Sequence, residues 1–269
     1  MVRAYEVRLL LQAILYFLIC LAATTAGGIS GVGGGVIIKP VLDAVSGMGV
    51  ATVSFLSGCT VLAMTATSML RSRGGSVHVE KRRGTLLAVG AAVGGILGKE
   101  IFELVRATGG VTVDIVQQIM MILLTVGVFI YTLNRPKIKT KDVQNAFACT
   151  VIGLTLGLVS AFLGIGGGPI NLAVLYYFFS MDSKTAALNS LYVILFSQAA
   201  SFINTLVRGT VPEFDWLVLI AMCVGGVLGG ILGRSISAKL TNKGVDRLFL
   251  VIMAVITVIS CYNLAMCFV

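Results

Sequence analysis

The pentapeptide GVGGG at residues 31–35 returns as GIGGG at 164–168, and each copy interrupts a long apolar stretch of helix-length hydrophobic runs. Glycine costs about 1 kcal/mol against alanine inside a helix, so three in a row should end one. The amides freed by such a break cannot face hydrocarbon, where each unsatisfied polar group costs several kcal/mol. They must therefore line a cavity, a ligand site or packed protein.

Composition makes the solvent lipid. Hydrophobic residues are 57% of the chain and charged residues only 12%, too few to assemble a water-soluble surface. Apolar spans are expected at about 8–29, 35–47, 50–70, 84–104, 112–134, 143–163, 169–180, 184–207, 214–236 and 245–268. Most approach the roughly 20 residues that cross a bilayer as a helix. The two that follow the glycine clusters are about half that, as short, tilted or re-entrant helices would be. The expected fold is thus an all-α polytopic membrane protein of about ten transmembrane or half-membrane helices.

A net charge of +9 does not point to nucleic acid, because the basic residues gather in short loops between apolar spans, the pattern of membrane orientation. Arg71, Arg73, Lys81, Arg82 and Arg83 form one cluster, Arg135, Lys137, Lys139 and Lys141 a second, and Arg234, Lys239, Lys243 and Arg247 a third. All three are assigned to the cytoplasm, and the loops near 105–113 and 208–215 to the outside. Arg3 and Arg8 argue mildly against an external N-terminus. Laying one glycine motif on the other divides the chain into a first membrane repeat at 1–134, a basic cytoplasmic linker at 135–142 and a second repeat at 143–269. Five segments is an odd number, so the second unit is upside down relative to the first. Inverted repeats with broken helices are a recurrent plan of secondary transporters, which bind substrate near the midplane.

A helix beginning at each break would offer unpaired amides and the positive end of its dipole, worth up to about 2 kcal/mol to a partly buried anion. Pro169 suits a first helical turn, where its missing N–H is no loss. Ser30, Ser160, Asn171, Asn189, Ser190, Ser197 and Gln198 are candidate donors around the ion, although serine, asparagine and glycine also pack transmembrane interfaces. Lys39, four residues past Gly35, is a membrane-embedded lysine and a functional candidate on that ground. An i,i+4 pair with Asp43 or snorkelling to the surface are its structural alternatives. Glu100 and Glu103, beside Lys99, read as boundary residues, with proton relay the lesser alternative.

These residues resemble the sulfite exporter TauE/SafE family of small-anion permeases. In the second repeat, GLVSAFLGIGGGPI at 157–170 matches the family pattern at Gly157, Ser160, Gly164, Gly166, Gly167, Gly168 and Pro169. In the first, GISGVGGGVIIKPVL at 28–42 matches at Gly31, Gly33, Gly34, Gly35 and Pro40, with Gly27 where the second repeat has Ser160. ALNSL at 187–191 resembles the small-polar site after the signature, and ATVSFLS at 51–57 is its looser counterpart. The resemblance implies transport of sulfite, a sulfonate or a related sulfur-containing organic acid, with no enzyme activity and no cofactor. Alternating access about a midplane site, with the proton as a candidate coupling ion and the cell membrane as location, completes the expectation.

An anion channel on the same duplicated scaffold is the main alternative. GISG at 28–31 also spells the GxSG of rhomboid intramembrane proteases, but serine needs a base, and the single histidine, His78, sits in a basic loop. The cluster GVGGG is not a dinucleotide fingerprint. Cys20, Cys59, Cys149, Cys223, Cys261 and Cys267 are scattered, without metal-ligand spacing, and read as small hydrophobes. The N-terminal apolar run lacks a convincing cleavage site and reads as the first transmembrane helix. Glycines at 90, 94, 95 and 98 and at 225, 226, 229, 230 and 233, equivalent positions of the two repeats, read as packing faces between the halves, with homodimerisation as the alternative use.

Overall fold

The computed structural model describes residues 2–72, 77–109, 111–163 and 167–266. They form ten α-helices: α1 (Val2–Ser30), α2 (Gly35–Val45), α3 (Val50–Ser72), α4 (Lys81–Gly109), α5 (Val111–Asn134), α6 (Ala146–Phe162), α7 (Gly168–Phe179), α8 (Ser183–Val207), α9 (Trp216–Lys239) and α10 (Asn242–Met266). Seven are long and apolar enough to cross a membrane, whereas α2, α6 and α7 are shorter. The chain is a multi-pass membrane protein. The expected loop at 105–113 is mostly helical, because α4 continues to Gly109 and α5 starts at Val111.

Polar residues set the helix ends where apolar runs cannot. Asn145, Asp182 and Asp215 cap α6, α8 and α9 by accepting from the amides of Phe147, Thr185 and Leu217 at 2.9, 3.0 and 2.8 Å. Ser180 ends α7 in a left-handed conformation and donates to the Lys141 carbonyl at 2.8 Å. The Lys141 and Val143 amides donate to the carbonyls of Tyr177 and Phe178. The basic linker is therefore packed along the end of α7 rather than loose.

Glycine contacts give the helix directions. Along α4 and α6, Gly90 abuts Thr150, Gly94 abuts Leu154 and Gly98 abuts Leu158, so the two run parallel. Along α9 and α1, Gly225 abuts Phe17, Gly229 abuts Leu21 and Gly233 abuts Thr25, again in parallel. Helix α3 runs with α9, where Thr60 meets Gly226 and Met64 meets Gly230. Helix α8 runs with α4, where Ser197 meets Gly95 and Thr205 meets Lys99. Yet α3 and α8 are antiparallel, since Gly58 faces Gln198 while Val61 and Ile194 flank Gly33. Helices α1, α3 and α4 therefore point opposite to α6, α8 and α9, their counterparts five places later. The same contacts show that the glycine faces hold the halves together inside one chain, so a homodimer would have to use other surfaces.

All three basic clusters fall at one end of the bundle, where α3 and α9 finish and α4, α8 and α10 start. The opposite end carries Glu100, ion-paired with Arg208, and the acidic residues Glu213 and Asp215. Arg73 of the first cluster and the cysteine at 267 lie outside the described residues.

Candidate functional site

At the first interruption, α1 stops at Ser30 and the chain turns through Gly31 (φ +81°) and Gly33 (φ +74°) before α2 starts at Gly35. Positive φ is cheap only for glycine, and space forbids a side chain as well. A carbon added to Gly31 would fall 2.3 Å from the Ala187 Cα, and one on Gly34 2.6 Å from the Thr24 methyl. Gly27, where the second repeat has serine, explains itself in the same way: a side chain there would fall 2.5 Å from the Gly33 carbonyl carbon. Gly33 lies against Val61, the central residue of α3, and Ile194, next to the centre of α8. The break is therefore at mid-depth.

Of the first amides of α2, those of Ile37 and Ile38 turn back to the Gly34 carbonyl at 3.0 and 2.9 Å. Those of Gly35 and Val36 have no carbonyl within the helix to reach. Gly35 borders a cavity of about 40 Å³ shared with Gly33, Lys39, Ser57, Gly58 and Gln198. A water needs roughly 10–15 Å³ by this measure, so the space suits one compact ionic head group.

The second interruption meets the first. Gly167 adopts φ +100° and α7 starts at Gly168, with Pro169 in its first turn. A side-chain carbon on Gly168 would lie 2.0 Å from the Val32 carbonyl oxygen, so the two breaks touch backbone to backbone. Gly164 and Gly166 lie outside the described residues. Asn171 is buried and packs its amide under Gly167.

The small cavity adjoins a vestibule of about 240 Å³ that reaches Thr210 and Pro212 at the end opposite the basic clusters. Lys39, Ser54, Gly58 and Gln198 border both spaces. Lys99, Gln117, Ser160, Ser197 and Thr205 line the vestibule, with Phe55, Phe102 and Phe202 supplying its apolar wall. Two lysines and no carboxylate are among the described residues that line it. Ser160 is 4% exposed and its hydroxyl has no hydrogen-bond partner among the described residues, the state of a donor kept for something else.

Three more of the predicted residues bond to backbone groups. Ser30 donates to the Ala26 carbonyl at 2.9 Å and accepts from the Val32 amide at 3.5 Å. Ser190 donates to the Gly31 carbonyl at 2.6 Å and so clamps the break. Asn189 accepts from the Glu80 amide and donates to the Thr185 carbonyl, holding the segment before α4. Lys99, Ser54, Ser57, Gln117 and Thr205 also line the two spaces, although no motif in the sequence marks them. Lys99 stands beside acidic Glu100 in the sequence, but Glu100 pairs with Arg208 while Lys99 donates to the Thr205 hydroxyl at 3.0 Å.

A second large cavity, about 420 Å³ at the basic end, includes Asp182 and Asp246 in its wall. Arg135, the cation among its described lining residues, stacks 3.8 Å over the Tyr176 ring, donates to Ser183 and Met181, and pairs with Asp246 at 3.5 Å. That network ties the linker to α7, α8 and α10 and leaves no uncompensated positive charge among those residues for an anion. No group of three or more metal-ligating side chains occurs among the described residues.

Comparison with known proteins adds three findings. The family model described as Sulfite exporter TauE/SafE matches residues 16–259. The chain is 24% identical over 263 residues to the "Probable membrane transporter protein YunE" of Bacillus subtilis (strain 168), covering 88% of this chain and 92% of that protein. No solved structure matches.

Proposed function

Since the chain belongs to the sulfite exporter TauE/SafE family, a family of membrane transporters, we propose that it is a secondary transporter carrying a small sulfur oxyanion or sulfonate by alternating access. Two units, residues 1–134 and 143–269 joined by the linker 135–142, would rock about a site at the mid-depth break. The basic end would face the cytoplasm of a cell-membrane protein, and the vestibule would then open outward. The observation that carries the reading is the vestibule itself: it bears Lys39 and Lys99, has no carboxylate among its described lining residues, and shares Lys39, Ser54, Gly58 and Gln198 with the small cavity that Gly35 borders.

In this reading the amides at the head of α2 and the Lys39 ammonium bind the anion, and Ser57 and Gln198 orient it. Ser160 and Ser197 would receive it in the vestibule. Charge-assisted bonds contribute about 1.5–3 kcal/mol each, so Lys39→Ala should raise the KM for sulfite at least tenfold while the protein still inserts.

Counterflow of radiolabelled sulfite in proteoliposomes tests the reading. Alternating access predicts saturation and acceleration by sulfite on the far side, and repeating the assay with an imposed proton gradient reads coupling. Flux that rises linearly with concentration and ignores the far side would establish a channel instead.

A further inference from the structure

Helices α4 and α9 carry nearly the same hexapeptide, GGILGK at 94–99 and GGILGR at 229–234. Their packing repeats carbonyl by carbonyl. Gly90, Gly94 and Gly98 abut the carbonyls of Thr150, Leu154 and Leu158, whereas Gly225, Gly229 and Gly233 abut those of Phe17, Leu21 and Thr25. Laying GVGGG on GIGGG brings those two sets of three into register. Lys99 and Arg234 are therefore equivalent positions in the two halves. The partner of Lys99, Thr205, donates to the Ser201 carbonyl at 3.0 Å, and its counterpart Ser72 donates to the Ser68 carbonyl at 2.7 Å.

The equivalence breaks in how far the helices stand apart. On the α4 side, a carbon added to Gly95 would meet only the Ser197 hydroxyl, at 3.1 Å, and the vestibule lies between α4 and α8. On the α9 side, a carbon added to the equivalent Gly230 would fall 2.7 Å from the Met64 carbonyl. The α3–α9 seam is shut, and Ser68 donates across it to the Gly230 carbonyl at 3.4 Å. Within that shut half Arg234 has its Nε buried and without a hydrogen-bond partner among the described residues. Burying a donor on a guanidinium unsatisfied is costly, and a position whose mate faces an open vestibule supplies the reason.

We infer that Arg234 is the anion-receiving residue of a second vestibule, between α3 and α9, that opens at the basic end when the vestibule holding Lys99 closes. The inference rests on the alternating-access reading and deepens it: Lys99 serves the anion from one side of the membrane and Arg234 from the other. The arginine fork offers an oxyanion two parallel bonds where lysine offers a point charge, so the two entrances need not have equal affinity.

Two measurements test this. In oriented proteoliposomes, Arg234→Ala should raise the KM for sulfite presented at the basic end about tenfold, the loss of roughly one charge-assisted bond, and change the KM from the opposite side less than twofold. Arg234→Lys should restore most of the loss, and Lys99→Ala should show the reverse sidedness. In a cysteine-free background, Arg234→Cys should react with a membrane-impermeant thiol reagent added at the basic end, and a bulky label on Lys99→Cys in the same molecule should slow that reaction at least tenfold. An unchanged KM at the basic end for Arg234→Ala, or an unreactive Arg234→Cys, overturns the inference. Absence of counterflow in the unaltered protein defeats the alternating-access reading separately, and the labelling experiment still decides whether a crevice reaches Arg234.

Discussion

Single residues at the breaks act through space and charge that can be separated. Gly168 touches the Val32 carbonyl, so Gly168→Ala must push the two interruptions apart. Overpacking of this kind costs about 1–3 kcal/mol, and sulfite counterflow should be lost while the protein still reaches the membrane. Ser160 offers the cleaner contrast. Its buried hydroxyl has no partner among the described residues, so Ser160→Ala should leave thermal stability in detergent unchanged or raise it by about 1 kcal/mol. The same variant should weaken sulfite binding measured by titration calorimetry. A loss of stability together with intact binding would return Ser160 to a packing role.

At the scale of elements, the caps and the linker set where the helices start. Burial would raise the pKa of Asp182, but bonds from Thr185 and Asn242 and the nearby Arg135 charge outweigh it and hold the carboxyl below its ordinary value. A depressed folded pKa means the stabilisation is fully present above the unfolded carboxylate value, about 3.9, and disappears as pH falls through the folded one. The melting temperature in detergent should accordingly drop in that acid window, and the pH dependence should flatten in Asp182→Asn. Asp182→Ala removes the α8 cap itself and should cost about 1 kcal/mol at neutral pH. These features are partly legible in the sequence: the apolar runs mark ten segments, and the glycine clusters mark the two breaks. The roles of Asn189 and Ser190 are not, because a polar residue on an apolar helix looks the same whether it serves a substrate or a neighbouring backbone carbonyl. The structure supplies the contacts themselves, the Gly31 carbonyl beside Ser190 and the Glu80 amide beside Asn189.

Across the whole molecule, duplication in the sequence becomes opposed helix directions in space, and that much follows from counting five segments per repeat. What the residues could not convey is the asymmetry between two nearly identical hexapeptides, GGILGK and GGILGR, one beside an open vestibule and the other in a shut seam. Such a difference is set by how far the neighbouring helices stand apart, which neither hexapeptide encodes. On the proposed function, an anion entering from the end opposite the basic clusters comes to rest at mid-depth, in the cavity at the head of α2. A structure in lipid nanodiscs with selenite, an electron-dense analogue of sulfite, tests it most directly. Selenium density should lie within hydrogen-bonding distance of the Gly35 amide and the Lys39 ammonium; density confined to the basic end, with that cavity empty at saturating selenite, would overturn the assignment.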